Sequence, residues 1–281
     1  MSWSTLISAD ALLSIPADKV IVVDCRHQLT DPEYGRRAYA AGHVTGARFF
    51  HLDEDLSGTK TGVNGRHPLP PADVLATKLA AAGIHNDTQV VAYDDAGGMY
   101  AARLWWLLRW LGHESVAVLD GGLAAYERVG GVLTTEVPVP VAGSFSIRPS
   151  LEKTVSATDI LTADSHLLVL DARAPGRYAG EGETLDPVGG HIPGARNHFF
   201  QQNLDADGRF KSPDVLAAAF AGVLAGTQPD QVVNQCGSGV TACHNLLAMQ
   251  YAGLPGAMLY PGSWSEWCAD ATRPVAIGPN P

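Results

Sequence analysis

The chain has 281 residues, a mass of 29.6 kDa, a hydrophobic share of 46% and a mean hydropathy of +0.02, which fits about two globular domains and excludes a disordered chain. Nineteen Lys and Arg against 29 Asp and Glu leave a formal charge of -10, so neither a nucleic acid nor an anionic membrane surface is an expected partner. The 4 cysteines contain no C-x-x-C pair; they are too few for a disulfide scaffold, and no metal site is expected.

The start, Met1-Ser2-Trp3-Ser4, lacks the basic and apolar regions of a secretory signal, so a cytoplasmic protein is expected. Along the first half, Val20–Val23, Gln89–Tyr93 and Ser115–Leu119 read as short strands. Pro71–Ala82 and Met99–Leu111 between them read as helices, the first with proline in its opening turn and Gly83 after its end. Pro138, Pro140, Gly143, Ser144 and Pro149 mark a linker. Domains are therefore expected at 1–136 and 154–281, with 137–153 joining them. In the second half, Leu167–Leu170, Gln231–Gln235 and Ala257–Tyr260 read as strands. Helices are predicted from Ser212-Pro213-Asp214 to about Ala225 and over Val240–Tyr251. Such alternation predicts an α/β fold, each domain a parallel sheet flanked by helices, with ligands beyond the carboxyl ends of the strands.

The two halves resemble each other. Gly42-His43-Val44-Thr45-Gly46-Ala47-Arg48 returns as Gly190-His191-Ile192-Pro193-Gly194-Ala195-Arg196. Upstream of each, an apolar run ends in Asp-x-Arg, at Asp24-Cys25-Arg26 and Asp171-Ala172-Arg173. Gln89–Tyr93 aligns with Gln231–Gln235, which puts Asp94 opposite Cys236, give or take one residue. The Asp-x-Arg pairs recur in both halves whereas the cysteine does not. They are expected to be structural, as buried carboxylate–guanidinium pairs at strand ends.

One loop carries the chemistry. Cys236-Gly237-Ser238-Gly239-Val240-Thr241 follows a strand and opens a helix. Two glycines permit a tight turn in which successive N–H groups point inward as an anion nest. The first N–H groups of the helix add to it, so a thiolate there is favoured as a nucleophile. A cysteine phosphatase would need an arginine six residues on, and position 242 is alanine. Residues 231–265 contain no charged side chain. They do not read as a membrane span, because Asn234, Gln235, Asn245, Gln250 and Pro255 interrupt them, and they are expected to be buried. Cys243 and most tryptophans read as core, with Trp264 at the pocket mouth.

On these motifs, with Tyr39-x-x-x-His43-Val44 and Tyr260-Pro261-Gly262-Ser263-Trp264-Ser265-Glu266-Trp267, the sequence resembles a tandem-domain rhodanese-type sulfurtransferase over nearly its whole length. The resemblance implies two rhodanese-like domains, the second catalytic and the first without its cysteine. It departs at Thr45, where the family usually has proline. Gly237-Ser238-Gly239 is similar to the 3-mercaptopyruvate type rather than the thiosulfate type, which carries basic residues after the cysteine. A loop without cations also suits a monoanionic α-keto acid. The resemblance implies Cys236 as nucleophile, Ser238, His43 and Asp31 as its assisting residues, and Arg177 as the donor-binding cation. Gly237, Gly239, Val240 and Thr241 would line the donor. A second arginine found in many members falls at Thr184. The implied reaction moves sulfur from 3-mercaptopyruvate to cyanide, a small thiol or reduced thioredoxin, with no cofactor. Thiosulfate:cyanide transfer on the same fold, and a non-catalytic sulfur carrier, are the alternatives.

Overall fold

A computed structural model describes residues 2–163 and 166–281. It divides into two compact units. The first comprises the chain up to Gly58, Leu69–Leu151 and Ala206–Phe210. The second comprises Thr59–Pro68, Glu152–Asp205 and Lys211–Pro281. Thr59–Pro68 therefore lies in the first half of the sequence and clusters with the second unit, an exchange that a single boundary near 136 does not contain.

The first unit contains β1 (Leu6–Ile7), α1 (Ala9–Ser14), β2 (Val20–Asp24), α2 (Tyr34–Ala41), β3 (His43–Val44), β4 (Arg48–Phe49), α3 (Ala72–Ala81), β5 (Gln89–Tyr93), α4 (Ala101–Trp110), β6 (Val116–Leu119), α5 (Gly122–Arg128) and β7 (Leu133–Thr134). Its main sheet runs β1-β6-β5-β2-β4, all parallel, while β3 and β7 pair antiparallel apart from it. The second unit contains α6 (Ala157–Thr162), β8 (Leu168–Asp171), α7 (Pro175–Ala179), β9 (Arg196–Asn197), α8 (Pro213–Leu224), β10 (Val232–Gln235), α9 (Thr241–Tyr251), β11 (Met258–Leu259) and α10 (Ser263–Trp267). Its sheet runs β11-β10-β8-β9, again parallel. Central strands β5, β6, β8 and β10 are buried along their length, as expected for a sheet covered on both faces. The apolar helices α4 and α9 are the most deeply buried, through Ala101–Leu108 and Ala242–Met249. Pro175 and Pro213 open α7 and α8, where a missing N–H costs nothing.

The repeat is explicit in atomic detail. Arg26 Nη2 donates to Asp24 Oδ2 at 2.6 Å and to the Gly42 carbonyl at 2.7 Å. Arg173 Nη2 does the same with Asp171 and Gly190, both at 2.6 Å. Each guanidinium thus neutralises a buried carboxylate at a strand end and ties down the turn before the Gly-His motif. Thr45 donates its hydroxyl to the Val132 carbonyl at 3.2 Å, a bond a proline there could not make. Among the described residues, no helix is long and apolar enough to cross a membrane.

Candidate active site

Cys236 leaves the carboxyl end of β10, and α9 begins five residues later. Its sulfur accepts the backbone N–H groups of Ser238 at 3.4 Å and Gly239 at 3.2 Å. The loop's carbonyls face the other way. Those of Cys236 and Gly237 accept the N–H groups of Trp264 at 3.0 Å and Ser265 at 2.9 Å, which open α10. Cys236 N–H donates to Ser263 Oγ at 3.1 Å, and that hydroxyl donates on to the Tyr260 carbonyl. Carbonyls held outward by one helix start leave amides turned inward on the sulfur, which is what a nest requires.

Two glycines are crowded here in different ways. Gly239 has φ +76, and a Cβ on it would lie 2.4 Å from the Pro261 carbonyl oxygen. Gly237 is crowded by side chains instead: its Cβ would lie 2.8 Å from Arg66 Nη2 and 3.5 Å from Arg177 Nη1. Cys236 itself is 2% exposed. Val240 caps α9 and Thr241 is its first residue. The Cys243 thiol donates to the Gly239 carbonyl at 3.3 Å and lies in the core. Trp264 is fully buried rather than at a pocket mouth, its indole N–H donating to the Val188 carbonyl and Arg173 lying over its ring.

The residue beside Ser238 differs from the sequence expectation. Ser238 Oγ lies 2.7 Å from His67 Nδ1, a buried hydroxyl–imidazole hydrogen bond. His43 is elsewhere: its ring nitrogens face the Tyr39 carbonyl at 2.8 Å and the Glu136 carbonyl at 3.1 Å, and its ring stacks on Tyr39 at 3.8 Å. His191 repeats this arrangement on Tyr178, with the same 3.8 Å stack and a 2.9 Å bond to the Tyr178 carbonyl. The Gly-His motif is therefore a turn-forming device in both units. Asp31 also departs from expectation, as an exposed carboxylate paired with Arg37 on α2, whose guanidinium holds its carboxyl below the ordinary range. His67 sits in Asn64-Gly65-Arg66-His67, whose counterpart in the second repeat is Asp207-Gly208-Arg209-Phe210; the histidine itself is not repeated, so matching on repeated residues passes over it.

Charge near the loop comes from outside it. Arg177 donates through Nε and Nη2 to Glu183 at 2.9 and 3.0 Å, and through Nη2 to Asp186 at 3.1 Å. Arg66 Nη1 pairs with the other oxygen of Asp186, and the Arg66 N–H donates to Ser265 Oγ at 3.0 Å. Burial raises the Asp186 carboxyl, against the pull of Arg66 and Arg177. The charge-free stretch 231–265 thus does not mean a site without cations. Two guanidiniums reach it, each backed by a carboxylate.

Metal-type donors gather in the first unit as His27, His51 and Asp53, and as Glu33, His51 and Glu54. His51 is common to both, and its nitrogens are engaged by the Pro32 carbonyl and the Asp53 N–H. In the first unit an aspartate occupies the position equivalent to Cys236. Cys25 N–H bonds the Tyr93 carbonyl as Ala172 N–H bonds that of Gln235, which aligns Asp94 with Cys236. The buried Asp94 carboxylate accepts four backbone N–H groups, from Ala96, Gly98, Tyr100 and Ala101, at 2.8–2.9 Å. The nest survives there with an aspartate inside it.

Comparison with known proteins gives the same picture along the whole chain. The rhodanese-like domain family matches residues 8–128 and 155–270. A Pseudomonas aeruginosa protein named "Probable 3-mercaptopyruvate sulfurtransferase" is 47% identical over 99% of this chain and 100% of its own. A thiosulfate sulfurtransferase of Rattus norvegicus is 36% identical over 88% of this chain and 84% of its own. The solved structure of a 3-mercaptopyruvate sulfurtransferase from Leishmania major superposes with a TM-score of 0.81 at 29% identity, covering 94% of this chain and 74% of that one.

Proposed function

The chain belongs to the rhodanese-like domain family and is a sulfurtransferase that carries sulfur as a cysteine persulfide, and from that premise we propose that its donor is 3-mercaptopyruvate and its carrier Cys236. The observation that carries the reading is the Cys236 sulfur under two inward amides, beside a Ser238–His67 pair. The Cys236 thiolate attacks the donor's sulfur. An S–S bond forms, the donor's S–C bond breaks, and the electron pair leaves on carbon as the enolate of pyruvate. His67 and Ser238 supply the proton that turns the enolate into pyruvate. Because carbon takes both electrons of the broken S–C bond, the transferred sulfur reaches the persulfide level without an external oxidant, and the donor's S–H proton stays on the outer sulfur until it ionises. The amides of Ser238 and Gly239 then cradle the persulfide. A second nucleophile (cyanide, a small thiol or reduced thioredoxin) attacks the outer sulfur and returns Cys236 as thiolate.

Support for the keto-acid donor is electrostatic. Arg66 and Arg177 face Gly237 but are matched by Asp186 and Glu183. Such a nearly neutral cluster offers N–H donors to one negative charge and repels a second. A first unit that shapes the protein without reacting fits the Asp94-filled nest. Four cysteines that stay as thiols suit the reducing cytoplasm. A thiosulfate donor is the second reading, favoured by the two arginines and by the thiosulfate-acting relatives.

The test compares kcat/KM for both donors and weighs the intact protein after each. A gain of one sulfur on the wild type, absent in Cys236→Ala, with 3-mercaptopyruvate preferred, is expected. A tenfold preference for thiosulfate would replace the donor. Sulfur retained by Cys236→Ala would replace the carrier.

A further inference from the structure

Two guanidiniums face the loop, that of Arg177 and a second one. It comes from Arg66. Asp186 takes Nη1 of Arg66 on one oxygen and Nη2 of Arg177 on the other. Glu183 takes Nε and Nη2 of Arg177. Each arginine is thereby held by a carboxylate, and the nitrogens nearest Gly237 are Arg66 Nη2, 2.8 Å from its Cβ position, and Arg177 Nη1 and Nη2, at 3.5 and 3.6 Å. The side chains of Asp186 and Glu183 are 3 and 5% exposed, whereas those of Arg66 and Arg177 keep 28 and 25%. The carboxylates are the buried foundation and the guanidiniums the accessible face.

Resting on the keto-acid reading above, we infer that Arg66 and Arg177 together clamp the donor's carboxylate over Gly237, one oxygen to each, with Asp186 as the positioning residue between them. Distances along the chain agree. Neighbouring Cα atoms are about 3.8 Å apart. In 3-mercaptopyruvate three single bonds separate the sulfur from the carboxylate carbon, a reach of about 4 Å. A carboxylate held by the two guanidiniums beside Gly237 therefore brings the sulfur to Cys236, and a side chain at position 237 would press on Arg66 Nη2, 2.8 Å from its Cβ. Arg66 is a specificity residue in this account. It selects donors with a carboxylate two carbons from the sulfur-bearing carbon, and Ser265 and Asp186 hold it in register.

The experiment uses the full chain and two donors: 3-mercaptopyruvate, and mercaptoacetone, in which a methyl group stands in place of the carboxylate. Persulfide formation and steady-state turnover are measured for the wild type, Arg66→Gln and Arg66→Lys. One lost charge-assisted hydrogen bond predicts that Arg66→Gln lowers the kcat/KM ratio of the first donor over the second about tenfold to a hundredfold. The loss should sit in KM. Arg66→Lys keeps the charge without the planar fork and should restore part of the ratio. If Arg66→Gln does not fold, Arg66→Lys carries the test with a severalfold drop. A ratio within threefold of wild type, or a parallel loss with both donors, overturns the clamp alone. A wild type that forms no persulfide from 3-mercaptopyruvate overturns the clamp and the donor reading together.

Discussion

Replacing Gly239 with alanine tests whether the inward amides are what make Cys236 useful. At φ +76 an alanine sits in the left-handed region, at a cost of about 1–2 kcal/mol. Its Cβ would also stand 2.4 Å from the Pro261 carbonyl oxygen, a full ångström short of the 3.4 Å at which ordinary contact begins. Pro261 cannot easily retreat, because Tyr260 N–H is bonded to Asn234 and Trp264 N–H to Cys236 on either side of it. The loop must yield instead, which draws the Gly239 amide off the sulfur it now meets at 3.2 Å. Overpacking of this kind costs about 1–3 kcal/mol, so about 2–5 kcal/mol of stability should be lost in all. A displacement near an ångström at a reacting group costs on the order of a hundredfold in rate. Urea denaturation reads the first figure. Rapid mixing with donor, followed by whole-protein mass spectrometry, reads the second on the fraction that remains folded. Persulfide formation within threefold of wild type would refute the claim that these amides carry the chemistry.

Two further outcomes follow from the same geometry. His67→Gln should lower persulfide formation about a hundredfold by removing the proton source at Ser238. His43→Gln should instead cost about 1–3 kcal/mol of stability and spare the reaction; the reverse pattern in the two variants would return the catalytic role to His43. The third outcome concerns acid. Burial pulls the Glu183 carboxyl up, but Arg177 and the N–H groups of Leu185 and Asp186 outweigh it and hold it below its ordinary value of 4.5. A depressed carboxyl stabilises the fold fully above its unfolded value and loses that contribution as pH falls through the folded one. Urea midpoints measured from about pH 6 down to about pH 3 should therefore fall less steeply in Glu183→Gln. An identical acid limb would contradict this.

Much of this was readable from residues alone, for identifiable reasons. Short apolar runs and helix-start residues are local signals, and β5, α3, α8 and α9 lie within a residue or two of where those signals put them. The reactive loop was legible because strand, cysteine, glycines and helix are contiguous. The short edge strands β1, β4 and β9 were not, since two residues carry no period. Ser238's partner was illegible for a deeper reason. His43 lies in a motif repeated in both halves, and repetition draws the eye. Its stack on Tyr39 and its carbonyl contacts show that what is repeated is the turn. Arg66 and His67 lie about 170 positions from the cysteine and follow Gly62, Asn64 and Gly65, a composition that reads only as loop. Only tertiary docking of Gly65 against Gly262, and of Arg66 against Ser265, gives them a place.

Thr59–Pro68 has a consequence for how the chain can be divided. A chain trimmed to the second repeat would keep the sulfur carrier and its amides but would lack the imidazole and one of the two guanidiniums. Those belong to the half whose own cysteine position is an aspartate. The ten residues Thr59–Pro68 thus belong to one repeat by sequence and to the other by packing, and a division of the chain at the repeat boundary would cut through the surroundings of Cys236.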